Sequence, residues 1–325
     1  MRRSFWLLLP ALVLLALVVV PFGASASGPP SCAISNARTH KDYSSLQSAV
    51  GAAKAGDTLE VKGSCVGNTS IDKNITLKGI TNKPFPGTPT LDGGGTGTVL
   101  HITNGTTTVD GLKVTNGAAD VSSPENGGDC CVGGGIAVSG DTAGASVLNS
   151  LVTGNSASLF GGGIDVDDGT LALVNSTVSG NTAVGGSGGI DTDFGTITLT
   201  GSTVSGNTVT NGSGGGIWNF AGTVTLNNSQ ISGNSASNPS ATLARGGGIR
   251  NQSALDSTGT VVVSQATLTL SGTTAITGNH AEDGGGISNR PLSTVLASNW
   301  TGSISGNTPD QCSPTLTIGS TSCGS

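Results

Sequence analysis

Across the middle of the chain apolar and polar residues alternate in short bursts, as in Thr196-Ile197-Thr198-Leu199-Thr200 and Thr223-Val224-Thr225-Leu226. A period of two predicts strands, with Ile, Val and Leu facing a core and Thr facing water. Each burst is too short to bury a core alone, but the bursts return in step with two markers. A Gly-rich step closes on Ile136, Ile164, Ile190, Ile217, Ile249 and Ile287, at spacings of 28, 26, 27, 32 and 38. A Gly-Asn pair places Asn155, Asn181, Asn207, Asn234, Asn279 and Asn307 at spacings of 26, 26, 27, 45 and 28. From Ile164, Ile190 and Ile217 the offset to the following asparagine is 17 each time, so the wider gaps are insertions in a preserved repeat, at 236–245 and near 252–266.

A repeat of this length made only of strands implies coils that stack, each touching its neighbours. About 26 residues hold three short strands and three turns, whereas a propeller blade needs about 40 to 45. The pattern therefore predicts an all-β chain, a right-handed parallel β-helix of roughly ten coils. Asparagines at one corner of successive coils, about 4.8 Å apart, should bond up the stack as a ladder. The glycines before each isoleucine should allow tight packing at another corner.

Ahead of the repeat, Ser44 and Gln47 have capping-box spacing, and Tyr43, Leu46, Val50 and Ala53 form an apolar helical stripe that ends at Gly56. A helix there would cover the open end of the stack, which otherwise invites edge pairing. Less regular early coils are expected at 57–61, 75–77, 90–92 and 99–102. The chain thus divides into 1–26, 27–58 with the cap helix, 59–308 as the solenoid, and a tail at 309–325 with a cysteine pair.

Residues 1–26 have the plan of a signal peptide: basic Arg2 and Arg3, an apolar run at 7–20, and Ala24-Ser25-Ala26 as a small-residue cleavage site. Export to a secreted or cell-surface location is expected, with no membrane span after cleavage. The formal net charge of −6 falls to −8 when Arg2 and Arg3 leave, so no basic footprint for nucleic acid remains. Glycine at 54 of 325 residues, with 3% aromatics, would suggest disorder were it not for the period; it reflects many turns. Six cysteines suit an oxidising compartment. Position suggests Cys32 with Cys65 and Cys312 with Cys323, while Cys130-Cys131 either form a vicinal pair or bond elsewhere. Without paired C-x-x-C spacing or nearby histidines, a thiolate metal site is the weaker reading.

Two families share these features. The cap helix followed by Ala55-Gly56-Asp57-Thr58-Leu59, and later Thr90-Leu91-Asp92-Gly93, resembles the opening of pectin-lyase-like, right-handed β-helix proteins. Gly161-Gly162-Gly163-Ile164 with Val178-Ser179-Gly180-Asn181 is similar to the paired repeats of polymorphic outer membrane proteins. The resemblance covers roughly 43–308 and implies the β-helix fold and adhesion of the passenger type. The phenylalanine usual three places before the asparagine is Val178, Val204 or Ile231 here, and no autotransporter barrel segment is found, which argues against self-secretion.

Candidate chemistry gathers just after the Gly-rich steps. With Ile164 and Ile190 inward, Asp165 and Asp167 turn outward on one coil and Asp191 and Asp193 on the next, about 5 Å apart across strands and about 7 Å along them. Asp168 lies at the rim. Carboxyls this close must hold a proton, gain a cation or splay apart. Farther up, Trp218 and Phe220 take the corresponding positions, then Arg250 and Gln252, then Ser288 and Arg290. Aromatic rings beside charged groups suit a sugar-binding surface, and the leading expectation is a monomeric, non-catalytic, adhesin-like or glycan-binding protein. The alternative to any site is a solvated acidic face.

Ca2+ is the cofactor the four aspartates would suit, although Asp165-Val166-Asp167-Asp168-Gly169 is not an EF-hand loop. A polysaccharide lyase or glycoside hydrolase is a further expectation, since both carboxyl separations used in glycoside hydrolysis occur in the expected square. The His-Gly and Arg-x-Lys companions of the pectin-lyase-like polygalacturonases are missing, and Arg250 lies two coils from Asp191. The Thr196/Thr198, Thr223/Thr225 and Thr267/Thr269 rows would form a flat ladder of the kind an ice-binding face needs. Gly185-Gly186-Ser187-Gly188-Gly189 matches a serine-hydrolase elbow only by pattern, and His40, His101 and His280 are scattered.

Overall fold

The computed structural model describes residues 32–81, 87–120, 133–239, 243–257, 259, 262–319 and 321–324. The expected signal peptide and Cys130-Cys131 lie outside them. One coil shows how the repeat is realised: Ile164–Asp167, Thr170–Val174, Thr177–Ser179 and Thr182–Ala183 are successive strands. Each pairs in parallel with its equivalent on the next coil, namely Ile190–Asp193, Thr196–Thr200, Thr203–Ser205 and Thr208–Val209. The chain is a right-handed parallel β-helix, and these strands define its faces one to four in that order. Among the described residues face one holds nine strands, from Thr69–Ile71 to Cys312–Ser313. Three strands per coil were expected; the fourth has only two residues, too few for alternation to mark.

Alternation decides the core. On one coil Ile164, Val166, Leu171, Leu173 and Val178 are fully or almost fully buried, and Ile190, Ile197, Leu199 and Val204 repeat them on the next. Burying each such side chain stabilises by about 1.5 to 3 kcal/mol. On face four the inward positions narrow to Ala119, Ala157, Ala183, Val209 and Ala236, a separate small cluster.

The corners are closed by ladders of side-chain hydrogen bonds. Asn155 Nδ2 donates to Asn181 Oδ1 at 3.0 Å, Asn181 to Asn207 at 3.0 Å, Asn207 to Asn234 at 3.0 Å, Asn234 to Asn279 at 2.9 Å and Asn279 to Asn307 at 2.9 Å. Each Oδ1 also accepts the backbone N–H of the preceding ladder asparagine, and each Nδ2 also donates to a carbonyl such as Val178 O. Asn307 ends the column on Gln311 Oε1. A second column, of Ser150, Ser176, Ser202 and Ser229, runs up the corner between faces two and three. The preceding residue there, Asn149, Asn175, Gly201 or Asn228, has φ between 47° and 56°, a left-handed turn that asparagine and glycine tolerate best.

Both ends are covered. The helix Leu46–Ala52 buries Leu46, Ala49 and Val50 on the first coil. Its N-cap is Ser45, which accepts from Ser48 N, one residue later than the Ser44 and Gln47 spacing predicted. Gln47 instead clasps the backbone of Ser70 on face one. Strand Cys32–Asn36 runs antiparallel to Thr58–Val66, tied by the Cys32–Cys65 disulfide. At the other end the hairpin Leu316–Ile318/Thr321–Cys323 is tied by Cys312–Cys323. These disulfides suit an oxidising, extracellular environment. Among the described residues no helix is long and apolar enough to cross a membrane.

The asparagine column is the most exposed to a single change. Asn207→Ala leaves Asn181 Nδ2 and Asn181 N–H without their buried acceptor. At 1 to 3 kcal/mol for each orphaned group, a loss of about 3 kcal/mol is expected in denaturant unfolding. A midpoint unchanged from the parent protein would show that the column is not structural.

Candidate functional site

Face one carries the predicted chemistry in two outward columns. Asp165, Asp191, Trp218, Arg250 and Ser288 are partners in register on five consecutive coils. In the second column Asp193 pairs with Phe220 and Phe220 with Gln252. Arg290 follows Asn289, whose strand neighbours that of Gln252, so it closes the column. Residues scattered over 126 positions of sequence are thereby brought onto one surface.

The first column is not a solvated acidic surface. Asp165 is 3% and Asp191 2% exposed, although both point away from the core. The cause is the Gly-rich corner, which folds back over the residue that follows each marker isoleucine. A Cβ placed on Gly161 would lie 2.8 Å from Asp165 Cβ, and one on Gly214 would lie 2.8 Å from Trp218 Cβ. Gly186 has φ +57°, and a Cβ there would meet Asp191 Oδ2 and Phe160 Cδ1 at 2.5 Å each. The glycine-serine run thus serves as the cover of Asp191, and Ser187 Oγ spends its proton on Gly214 O at 2.6 Å.

Burial sets the electrostatics. Desolvation pushes the Asp191 carboxyl well above the usual carboxylate range, aided by the like charges of Asp165 and Asp193 and opposed by the Ser187 N–H and by Arg250. Asp193 is half-buried and is pushed up to about 6 by desolvation, then by Asp167 and Asp168. Farther up, desolvation lowers Arg250 to about 10, with Arg290 and Arg245 contributing by repulsion and Asp191 opposing. Face one therefore runs from carboxylates to guanidinium groups along the solenoid axis.

Aromatic rings lie between the two. Arg250 Cζ sits over the Trp218 ring, 4.4 Å from its centroid. Phe220 meets Phe194 edge to face at 5.8 Å. Phe194 is half exposed at φ 59°, a conformation that a bulky side chain rarely adopts and that holds its ring on the outside of the corner. A groove of about 370 Å³ opens beside Trp218 and Arg250, with Phe160, Asn211, Asn238 and Arg245 among its walls.

Asn238, Leu243 and Arg245, from the first insertion, form one wall. Glu282 accepts from Asn238 N and Ala244 N, and Arg245 pairs with Asp283 at 3.1 Å, so the loop is pinned to the next coil. The second insertion makes an antiparallel hairpin, Ala254–Leu255 with Val262–Ser264.

Sequence reasoning placed Trp218, Phe220, Arg250 and Arg290 on this surface but missed Phe160, Phe194 and Arg245. Phe194 follows Asp193 at the same corner as Asp168, a place that outward alternation does not flag. The inward asparagines Asn219, Asn251 and Asn289 were missed too; they link by Nδ2-to-Oδ1 bonds of 2.8 Å. Each stands two places after a marker isoleucine, a signal present in the sequence.

Among the described residues no three His, Cys, Asp or Glu side chains gather in a way that would hold a metal ion. Of the four aspartates expected to form a square, Asp165 and Asp191 are buried while Asp167 and Asp193 are half-buried, and the Asp193 charge is still felt at Asp191. On face two Thr170, Thr196, Thr223, Thr267 and Thr294 stack in register, with Thr198, Thr225 and Thr269 beside them. Compared with protein-family models, with curated proteins and with solved structures, the chain matches none.

The raised Asp191 pKa carries a definite sign. Its proton is bound more tightly in the folded chain, so this contribution is fully present below about pH 4 and is lost as pH rises. Asn can accept from Ser187 N–H without titrating. Asp191→Asn should therefore match the parent in acid and exceed its thermal midpoint increasingly from pH 4 to 8. Asp57, lowered by Arg38 and Asn36, acts in the opposite direction in both proteins and cancels in the comparison. A midpoint difference that does not change with pH would refute the assignment.

Proposed function

We propose that face one binds a glycan through the groove beside Trp218 and Arg250, and that the protein acts as an exported, non-catalytic, adhesin-like or matrix protein. One observation carries this reading. Trp218, with Arg250 held over its ring at 4.4 Å, lines a groove of about 370 Å³ together with Phe160, Asn211, Asn238 and Arg245. A ligand rich in hydroxyl groups suits such a wall, because its C–H faces can lie against Trp218 and Phe160 while its hydroxyls meet the polar side chains around them. The likeness of the repeats to those of polymorphic outer membrane proteins supports adhesion, and the disulfides support display outside the cell.

A second reading, hydrolysis or lyase chemistry on a polysaccharide, draws on Asp193. A carboxyl pushed up to about 6 beside Asp167 is suited to proton transfer near neutral pH. Sugar release abolished by Asp193→Asn would favour it over simple binding.

The binding reading is tested by retention on a panel of immobilised neutral and charged oligosaccharides. Trp218→Ala and Arg250→Ala should each weaken retention about tenfold or more, as loss of a stacked pair in the groove wall implies. Thr225→Ala on face two should leave it unchanged. Retention that survives both substitutions would place the ligand elsewhere.

A further inference from the structure

Face two contributes nothing to the groove beside Trp218, yet its outward side chains repeat in two directions. Thr170, Thr196, Thr223, Thr267 and Thr294 stand in register on five consecutive coils, and Thr198, Thr225 and Thr269 stack beside the middle three. Thr196, Thr198 and Thr223 are exposed, and Thr225, Thr267 and Thr269 are half-buried. Equivalent atoms lie about 4.8 Å apart from coil to coil and about 7 Å apart along each strand. The hydroxyls therefore form a two-dimensional net.

Charge and hydrogen bonding narrow what such a net can meet. Among the described residues the strands of face two from Ala143–Leu148 to Thr294–Trp300 contain no Asp, Glu, Lys, Arg or His. Charged residues make up 10% of the chain, and earlier strands of the same sheet hold Glu60, Lys62, Lys78 and Asp110. No side-chain hydrogen bond among the described residues engages the hydroxyls of Thr196, Thr198, Thr223, Thr225, Thr267 or Thr269, so each keeps its donor and acceptors for what lies outside. Thr294 closes the column, because its hydroxyl accepts from Gln265 Nε2 at 2.9 Å. Face three is also uncharged over these coils, but one of its columns mixes Thr177, Thr203, Gln230 and Ala275, so it lacks the repeat.

Charge complementarity points to an uncharged partner, and the net points to a periodic one. A hydrogen bond exchanged for one to liquid water nets only about 0.5 to 1.5 kcal/mol, so no single hydroxyl can prefer a solid to the solvent. Preference arises when many hydroxyls meet lattice oxygens at once, which requires matching repeats. Both repeats of the net lie close to those of the oxygen atoms on a prism face of ice. β-Branching adds to the match, since a Thr side chain has little χ1 freedom to lose and holds its methyl group in a fixed place beside the hydroxyl. We propose that face two binds ice through this Thr net, as a function separate from the groove on face one. It depends on the register of the coils and is independent of the glycan reading.

The test uses the full chain and slow freezing of a dilute solution. The parent protein should be taken up by the growing ice, which leaves a non-binding protein in the liquid, and seeded crystals held just below the melting point should stop growing and become faceted. Thr198→Tyr and Thr225→Tyr each raise a ring at the centre of the net. Both should abolish uptake and growth arrest, with the unfolding midpoint and oligosaccharide retention unchanged. Thr196→Lys, at an exposed position, should act alike and replaces either variant if that one does not fold. Thr203→Tyr on face three should leave both ice readouts as in the parent. A parent protein left wholly in the liquid, or folded face-two variants taken up as well as the parent, would overturn ice binding and leave the glycan reading standing.

Discussion

In-register stacking of one coil on the next is the constraint from which everything else follows. It turns residues about 26 positions apart into neighbours at the distance of paired strands, so a substitution in one coil is felt by the same position above and below. The apolar columns of faces one to three gain from this simply by being apolar. Polar columns need more, because an inward or corner side chain must find its partner in the next coil. Asparagine meets that demand well: its amide donates upward and its oxygen accepts from below, so one residue type repeated at one position satisfies itself indefinitely. The column has to end somewhere, and Asn307 ends it on Gln311.

The same constraint explains why chemistry can appear on face one without disturbing the fold. The inward positions there change from Val138 and Val166 to Thr192 and then to Asn219, Asn251 and Asn289, where the amides build their own ladder. The outward positions change independently, from Ala137 through two aspartates to tryptophan and arginine. Gly corners lie over the first outward column in coil after coil, and this makes the difference between a decorated surface and a site. Side chains that a flat sheet would leave in water are desolvated, and their pKa values and unpaired atoms follow from that.

Much of this was legible in the sequence. The period, the two markers and their constant offset of 17 led to the fold, the asparagine ladder and the columns of face one. What alternation cannot convey is depth outside the core. It reports which side of a strand a residue takes, and Asp191 does point outward; whether outward means solvent depends on the corner at 185–189, whose path is set by backbone conformations such as that of Gly186. The N-cap shifted by one residue for a related reason. Gln47, which would have completed a capping box, bonds instead to Ser70 on a strand 23 residues later.

The two paired insertions fit the same logic. Lengthening a solenoid coil at a corner leaves the stacking of its strands untouched, so Ile217–Phe220 and Ile249–Gln252 remain in register across the 236–245 insertion. The loop is then free to be recruited as a wall, and here it is held by Glu282 and Asp283 of the following coil. Arg245 is the residue that links the two roles. Its pairing with Asp283 fixes the wall, and its remaining field acts on Arg250, which is stacked on Trp218 at the centre of the groove. The carboxylate that anchors the loop thereby gives the two arginines different settings: Arg245 is paired with Asp283, whereas Arg250 lies over the Trp218 ring.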